Sequence, residues 1–218
     1  MPDAATGVEC RMRILLTAFE PFGGSDRNPT MSIVQSIGTT MPWVTTMVLP
    51  VVTGIGSGSA WSMLQPILHE SWDAIVHLGE SAKASTILVE RVAVNMRDGT
   101  VADNQGSLLR DVQVVDGGPA AYFSTLPVRE LIEASNMVDV PTALSMSAGT
   151  FLCNETMYRT LHALECARRA TRAGFIHVPQ LPEQAAVRGG PSMDAALMAR
   201  AVSAMLSRLR EGPRLDRA

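Results

Sequence analysis

The stretch SAGTFLCN, residues 147–154, puts a cysteine where it could act as a nucleophile. The residues after Cys153 have a helical pattern, so we expect its thiol in or beside a first helical turn. Peptide dipoles at a helix N-terminus can lower the pKa of a thiol below about 8.5, and free N–H groups there can hold an oxyanion. The alternative is that Cys153 is a small buried apolar residue, the commoner fate of an intracellular cysteine.

A base for this thiol must come from another segment. On a helix of about 100° per residue, His162 and Cys166 lie on the side away from the thiol. These two residues are four apart and could share a metal ion, but two ligands without a third do not predict a metal site. His77 and His177 both lie near the carboxyl ends of predicted strands. The residue pattern leaves the choice between these two histidines open.

Three further segments contain residues that are unusual for their positions. Glu90, in ILVERVAVN, is a carboxylate inside an apolar strand, which costs free energy unless it is paired or hydrogen-bonded. It is either functional, or paired with its neighbour Arg91, or on an edge strand. FEPFGG puts Phe19 and Phe22 on one loop, where they form either a pocket wall or packing beneath the loop. GIGSGS has Ser59 in place of the third glycine of a dinucleotide loop, so we interpret it as a helix-capping turn.

Apolar runs alternate with helical patterns along the chain. Strands are predicted at 13–19, 44–51, 73–79, 87–95, 141–147 and 175–179, and helices at 31–38, 57–72, 127–137, 152–172 and 192–211. This alternation predicts an α/β fold with a mostly parallel sheet covered on both faces. Ligands of such sheets bind beyond the carboxyl ends of the strands, which singles out the segments that follow each strand, SAGTFLC included. The turn-rich residues that follow the strand at 87–95 predict a hairpin excursion or an ordered loop.

Composition limits the class of protein. The chain has 218 residues, 46% of them hydrophobic, and a formal net charge of −3, so it can bury a core in one domain or two small ones. Neither a nucleic-acid surface nor a membrane span is predicted. Three cysteines cannot all pair, and the first 13 residues have no hydrophobic signal core, so we expect a cytoplasmic protein. We predict a flexible leader at 1–12, one domain at 13–211 and a loose tail at 212–218.

Several motifs then occur in order between residues 13 and 185. They are LLTAFEPFGG with NPT, ERVAVN, DNQG, GGPAAYFSTLP, SAGTFLCN and GFIHVPQLPEQ. Together they resemble the pyroglutamyl peptidase I family, also called pyrrolidone-carboxylate peptidases. The resemblance implies a single-domain α/β/α sandwich that assembles as a homodimer or homotetramer.

The resemblance also implies roles for individual residues. The nucleophile would be Cys153, the base would be His177 rather than His77, and the third member of the triad would be Glu90. The implied reaction is hydrolysis of the amide after an N-terminal pyroglutamyl residue of a peptide. It would proceed by thiolate attack and an acyl-enzyme, without a metal or a cofactor.

The implied substrate pocket holds a neutral lactam, so it needs apolar walls and no acidic anchor. Phe19, Phe22 and Phe151 match family positions that line this pocket. Main-chain groups in the loop after the third strand, at Glu80, would meet the lactam N–H and C=O. Proline has the ring without the carbonyl, so it would leave such buried polar groups unpaired and be rejected.

Two departures from the family pattern keep other functions open. Residues 79–84 are GESAKA where relatives commonly have GQAGGR, so Ala82 and Lys83 replace glycines that could hold a positive φ. Thr100 stands where relatives often have arginine. The alternatives are a protein on the same fold that binds lactams or pyroglutamyl peptides with little turnover, and a related thiol amidase.

Overall fold

The structure, a computed structural model, describes residues 12–212 and has a six-stranded sheet at its centre. Its strands are β1 (Ile14–Phe19), β2 (Val44–Leu49), β3 (Ala74–Glu80), β4 (Ile87–Glu90), β7 (Thr142–Ser145) and β8 (Arg172–Val178), in the order β2-β1-β3-β8-β4-β7. Two short strands, β5 (Val92–Val94) and β6 (Ala121–Phe123), form a separate antiparallel pair. The predicted leader and tail lie outside the described residues, apart from Met12 and Gly212.

The strand directions explain the mixed character of the sheet. β1, β2, β3 and β8 are parallel, as buried apolar strands such as ILLTAF predict. β4 is antiparallel to β8 and parallel to β7, so these two strands run in the opposite direction. The predicted α/β fold with a mostly parallel sheet is therefore confirmed. We expected the segment after every strand to lie at the carboxyl ends of the parallel strands. This is wrong for the segment after β7, because β7 runs in the opposite direction and ends at the other end of the sheet.

Helices cover both faces of the sheet. They are α1 (Pro29–Thr40), α2 (Ala60–Leu64), α3 (Val128–Asn136), α4 (Leu152–Cys166), α5 (Pro182–Arg188) and α6 (Ala195–Arg210), with a 3₁₀ turn at Gln65–His69 after α2. Apolar residues of α1, α3 and α6 pack on one face, which we call face A. Those of α2 and α4 pack on the other, face B. The result is the three-layer α/β/α sandwich that the family resemblance implies.

Local signals set several element boundaries. Asn28 caps α1, its side chain accepting the Thr30 N–H at 3.1 Å, and Pro29 begins the helix. Ser59 caps α2 by accepting the Ser62 N–H at 3.1 Å, so the interpretation of GIGSGS as a capping turn is confirmed. α5 was not predicted, because seven residues are too few to show a helical period.

The predicted strand at 87–95 is divided at Arg91. Its first half stays in the central sheet as β4, and its second half leaves as β5 to pair with β6. Between β5 and β6 the chain makes an excursion, residues 95–120, braced by an antiparallel bridge between Arg97 and Val112. The predicted excursion is therefore confirmed as an ordered one.

Close packing in β8 gives a test of the core. A Cβ on Gly174 would overlap the Ser124 hydroxyl and lie 2.7 Å from Leu126 Cδ1. We expect Gly174→Ala to lower the free energy of unfolding by about 1–3 kcal/mol, the range for an overpacked core. Urea denaturation measures this.

Gly38→Ala is the matched control. Gly38 lies in α1, and its added Cβ would meet its nearest neighbour, Thr46, at an ordinary 3.5 Å. Alanine should therefore raise the unfolding free energy by about 0.5–1 kcal/mol, because it relieves the entropic cost of a helical glycine. Equal destabilisation by both substitutions would contradict this description of the packing.

Candidate active site

The start of α4 carries a half-buried cysteine next to free backbone donors. Phe151 occupies the N-cap position, and no side chain caps the helix. The first bond of the helix runs from the Glu155 N–H to the Phe151 carbonyl at 3.0 Å. The amides before Glu155 therefore have no partner within the helix, and they surround Cys153 with the positive end of the peptide dipoles. This turn can hold a negative charge that develops on a bound carbonyl oxygen.

The residues flanking the cysteine fix this turn to the excursion. Asn154 is fully buried; it accepts the Val94 N–H at 2.8 Å and donates to the carbonyls of Val94 and Met96, both at 2.9 Å. On the other side, the Thr150 hydroxyl donates to the Asp98 carbonyl at 2.8 Å. No role was predicted for Asn154 from the sequence, and its position next to Cys153 was the available signal.

A glycine lets β3 approach the thiol closely. A Cβ on Gly79 would lie 2.9 Å from Cys153 Sγ and 2.7 Å from the ring of Phe175. Either distance is too short for a real side chain, so the close approach requires glycine. Sequence reasoning did not single out Gly79, because nothing local shows what faces a strand residue.

His177 and Glu90 meet across the antiparallel pair β8 and β4. Leu88 lies opposite His177, and Glu90, two residues further on, is on the same face of the sheet. The Glu90 Oε1 accepts a hydrogen bond from His177 Nδ1 at 2.8 Å, and both side chains are buried. Because the carboxylate holds the proton on Nδ1, Nε2 is the nitrogen left to exchange a proton.

The surroundings of His177 favour its charged form. Burial alone would lower the pKa of His177, but the neighbouring Cys153 sulfur and the Glu90 carboxylate raise this pKa to about 10. At neutral pH the imidazole is therefore a cation, held between the Cys153 sulfur and the Glu90 side chain. The structure brings Cys153, His177 and Glu90 together in one site.

The alternative explanation for Glu90, an ion pair with Arg91, is wrong. Neighbouring residues in a strand point to opposite faces, and the Arg91 guanidinium lies 5.7 Å from the centre of the Phe123 ring. The second Glu90 oxygen, Oε2, is buried without a hydrogen-bond partner among residues 12–212. Among the described residues, His177 is therefore the hydrogen-bond partner of the Glu90 carboxylate.

The other histidines belong elsewhere. His77 is fully buried, and its two ring nitrogens lie 2.7 Å from the Thr17 hydroxyl and 3.1 Å from the Thr160 hydroxyl. Burial lowers the pKa of His77 to about 3, so it is a neutral core histidine with both nitrogens satisfied. His162 pairs with the Tyr122 hydroxyl at 2.8 Å. Within the described part of the chain, no three histidine, cysteine or acidic residues cluster to hold a metal ion.

Aromatic rings lie near the cysteine and the histidine. Phe22 and Phe151 are half-buried with their ring centres 6.5 Å apart, and Phe151 is two residues before Cys153. Phe19 is 3% exposed and stacks on Phe175 at 6.3 Å, so it packs beneath the loop behind the other rings. The centre of the Phe175 ring is 4.8 Å from that of His177. Apolar surface therefore lies next to the reactive groups.

Glu80 directs its side chain away from this site. Along β3, His77 and Gly79 point to face B, so Glu80 points to face A, toward α5. Only main-chain groups of Glu80 can contribute to a pocket beside Cys153. In the following loop, neither Ala82 nor Lys83 is among the described non-glycine residues with positive φ, which are Asp111, Asp139 and Arg168. The lost glycines therefore cause no backbone strain there.

The excursion is also anchored to the loops after β1 and β2. Asp103 accepts the Thr53 N–H at 2.9 Å and its hydroxyl at 2.8 Å. Asn104 donates to the Glu20 carboxylate at 2.8 Å. Thr100 is exposed and lies outside these contacts. These hydrogen bonds give the DNQG motif a structural role: it holds the excursion against the FEPFGG loop, which we call the phenylalanine loop.

Comparison with known proteins gives one consistent result. The family model described as pyroglutamyl peptidase matches residues 12–210. The pyrrolidone-carboxylate peptidase of Pectobacterium atrosepticum is 38% identical over 197 residues, which cover 90% of this chain and 92% of that protein. The protein of the same name from Thermococcus kodakarensis is 39% identical over 184 residues, covering 84% and 88%.

Solved structures agree with these relatives. Pyrrolidone carboxyl peptidase from Pyrococcus furiosus superposes with a TM-score of 0.84 at 37% identity, covering 92% of this chain and 99% of that one. Pyroglutamyl peptidase I from Bacillus amyloliquefaciens gives 0.83 at 29% identity, covering 89% and 94%. With the thiol, imidazole and carboxylate already found in one site, these matches show that the chain belongs to the pyroglutamyl peptidase family.

Proposed function

We propose that this protein is a cysteine peptidase that hydrolyses the amide bond after an N-terminal pyroglutamyl residue of a peptide. The observation that carries the proposal is the convergence of Cys153, His177 and Glu90 from α4, β8 and β4. Family membership supports the substrate class, because the related proteins are named for pyroglutamyl or pyrrolidone-carboxylate substrates.

In the first half of the reaction, the Cys153 thiolate attacks the pyroglutamyl carbonyl. The free amides of the first turn of α4 stabilise the oxyanion, since they are fixed before the charge develops. His177 then gives its Nε2 proton to the departing amine, which leaves a pyroglutamyl thioester on the enzyme.

In the second half, water resolves the thioester with His177 as the base. The water attacks the thioester carbonyl while its proton passes to His177, and the cysteine sulfur leaves with pyroglutamate released. Glu90 holds the imidazole through Nδ1 and stabilises its positive charge in both halves. Every step uses groups of this chain, so we propose no metal and no cofactor.

Selectivity follows from the neutrality of the lactam ring. Phe22 and Phe151 offer apolar surface beside Cys153, while Phe19 supports it from below. We propose that main-chain groups at Glu80 meet the lactam N–H and C=O. Proline lacks the ring carbonyl, so its binding would leave a buried donor unpaired.

Cellular setting and assembly are part of the proposal. We propose that residues 13–211 act as one peptidase domain in the cytoplasm, where the free thiols Cys153 and Cys166 stay reduced. No helix among residues 12–212 combines the length and the apolar character that crossing a bilayer requires. We also propose a homodimer or homotetramer, as the family resemblance implies, in which exposed apolar side chains such as Met137 and Val187 can be covered.

The primary test is turnover of a fluorogenic pyroglutamyl amide. Wild type should hydrolyse it, and Cys153→Ala should lose at least about 10,000-fold in kcat, as expected when a nucleophile is removed. Cys166→Ala is the matched control and should stay at the wild-type rate, because that thiol is exposed at the far end of α4.

Prolyl and glutamyl amides are the substrate controls for this test. Comparable rates on all three amides would show instead that the protein is a less selective thiol amidase. Tight binding of pyroglutamate in a calorimeter without any turnover would replace it with a binding protein. Equal turnover by wild type and Cys153→Ala would refute thiolate attack.

A pH profile tests the charge on the imidazole. With a His177 pKa of about 10, kcat/KM should fall as the pH rises through that value and the proton is lost. Glu90→Gln keeps a hydrogen-bond acceptor but removes a charge that raises this pKa. The alkaline limb should therefore move to lower pH, and kcat should drop by about 100- to 10,000-fold, by analogy with the acid of a serine-protease triad. An unmoved limb would contradict the role given to Glu90.

A further inference from the structure

A buried carboxylate lies on the far side of the sheet from the reactive cysteine. Glu80 is the last residue of β3, directly after Gly79, whose lack of a side chain leaves room for Cys153. Its side chain is buried on face A, where Oε1 accepts a hydrogen bond from Arg188 at 3.2 Å and Oε2 accepts one from Gln184 at 3.0 Å. A buried carboxylate is costly unless it is paired in this way, so these two contacts stabilise the charged form of Glu80.

Gln184 extends these contacts to a second loop. Its side-chain oxygen accepts the Leu181 N–H at 2.8 Å at the start of α5. Its amide nitrogen also lies 3.2 Å from the Ser25 hydroxyl and 3.2 Å from the Arg27 carbonyl. One buried side chain thus joins the end of β3, the start of α5 and the segment after the phenylalanine loop.

These three segments border the proposed lactam pocket. The end of β3 would supply its main-chain polar groups, the loop after β1 carries Phe22, and α5 follows the strand that holds His177. We propose that Glu80 is a positioning residue that sets lactam affinity by holding these segments together from the opposite face of the sheet. This inference rests on the proposed peptidase function.

Few charged groups face Glu80, so the effect of its charge can be tested by substitution. Arg188 of α5 is the charged group that faces it, while its register partner on β8, Val178, is apolar. Besides Glu80, the Gln184 amide nitrogen contacts the Ser25 hydroxyl and the Arg27 carbonyl, and neither group titrates in the working pH range. Burial raises the pKa of Glu80, whereas the Gln184 hydrogen bond and the Arg188 charge oppose that rise. The pKa of the Glu80 carboxyl group therefore lies above its ordinary value.

A double-mutant cycle tests the pair. In Glu80→Gln, the new amide would turn its NH₂ toward the Gln184 amide or the Arg188 guanidinium, so two donors would meet. We expect KM for the pyroglutamyl amide to rise about 10-fold, with kcat within about 3-fold, as for loss of a binding interaction rather than of catalysis. Arg188→Met should do the same, and the double variant should be no worse than the worse single one. Arg188→Lys should restore most of the affinity.

Two controls separate positioning from general destabilisation. Glu183→Gln removes a carboxylate beside Gln184 that pairs with the exposed Arg27 instead, so its KM should stay at the wild-type value. The rate of Cys153 alkylation without ligand should be the same in every variant. On the acid side, KM of wild type should rise as Glu80 is protonated and Arg188 loses its partner, and this rise should be absent in Glu80→Gln.

Protection of Cys153 from alkylation by free pyroglutamate keeps this inference separate from the proposed function. Protection of wild type that weakens about 10-fold in Glu80→Gln supports the inference even if wild type has no turnover. Turnover by wild type with unchanged KM and unchanged protection in Glu80→Gln would overturn the inference alone. The absence of both turnover and protection in wild type would overturn both proposals.

Discussion

The site depends on a charged, buried imidazole that is held between two partners. Burial works against a cationic His177, and only the Glu90 carboxylate and the Cys153 sulfur outweigh that cost. Each partner therefore has to be close, fixed and itself shielded from water. On one side of the imidazole ring, the hydrogen bond of 2.8 Å between His177 and Glu90 keeps the carboxylate close. Much of the surrounding structure serves to keep the sulfur on the other side.

The sheet supplies this geometry through a change of strand direction. β8 presents His177 near its carboxyl end, and the antiparallel strand β4 places Glu90 diagonally opposite on the same face. Residues 146–151 then return the chain to the start of α4. Asn154 and Gly79 complete the arrangement, one by binding β5 and the other by leaving room for the thiol. Hydrogen bonds to β5 and close packing against β3 thus fix the position of the sulfur.

The two faces of the sheet have different roles. Face B holds the reactive groups and the aromatic rings, whereas face A holds the main core and the Glu80 contacts. Because alternate residues of one strand point to opposite faces, Gly79 and Glu80 couple these two environments over a single peptide bond. The end of β3 can therefore be held in position by the Glu80–Arg188 pair, which does not contact the substrate.

The sequence by itself determined the α/β class, most of the strands and helices and, through the family motifs, the candidate residues of the site. A carboxylate in an apolar strand and a cysteine at a helix start are local signals, so Glu90 and Cys153 stood out early. The tertiary structure decided that His177 rather than His77 shares the site, that β4 and β7 run in reverse, and that the strand at 87–95 divides at Arg91. Hydrophobic periodicity reports which face of an element is buried. It carries no information on the partner, direction or register of a strand, because those depend on contacts between residues far apart in the chain.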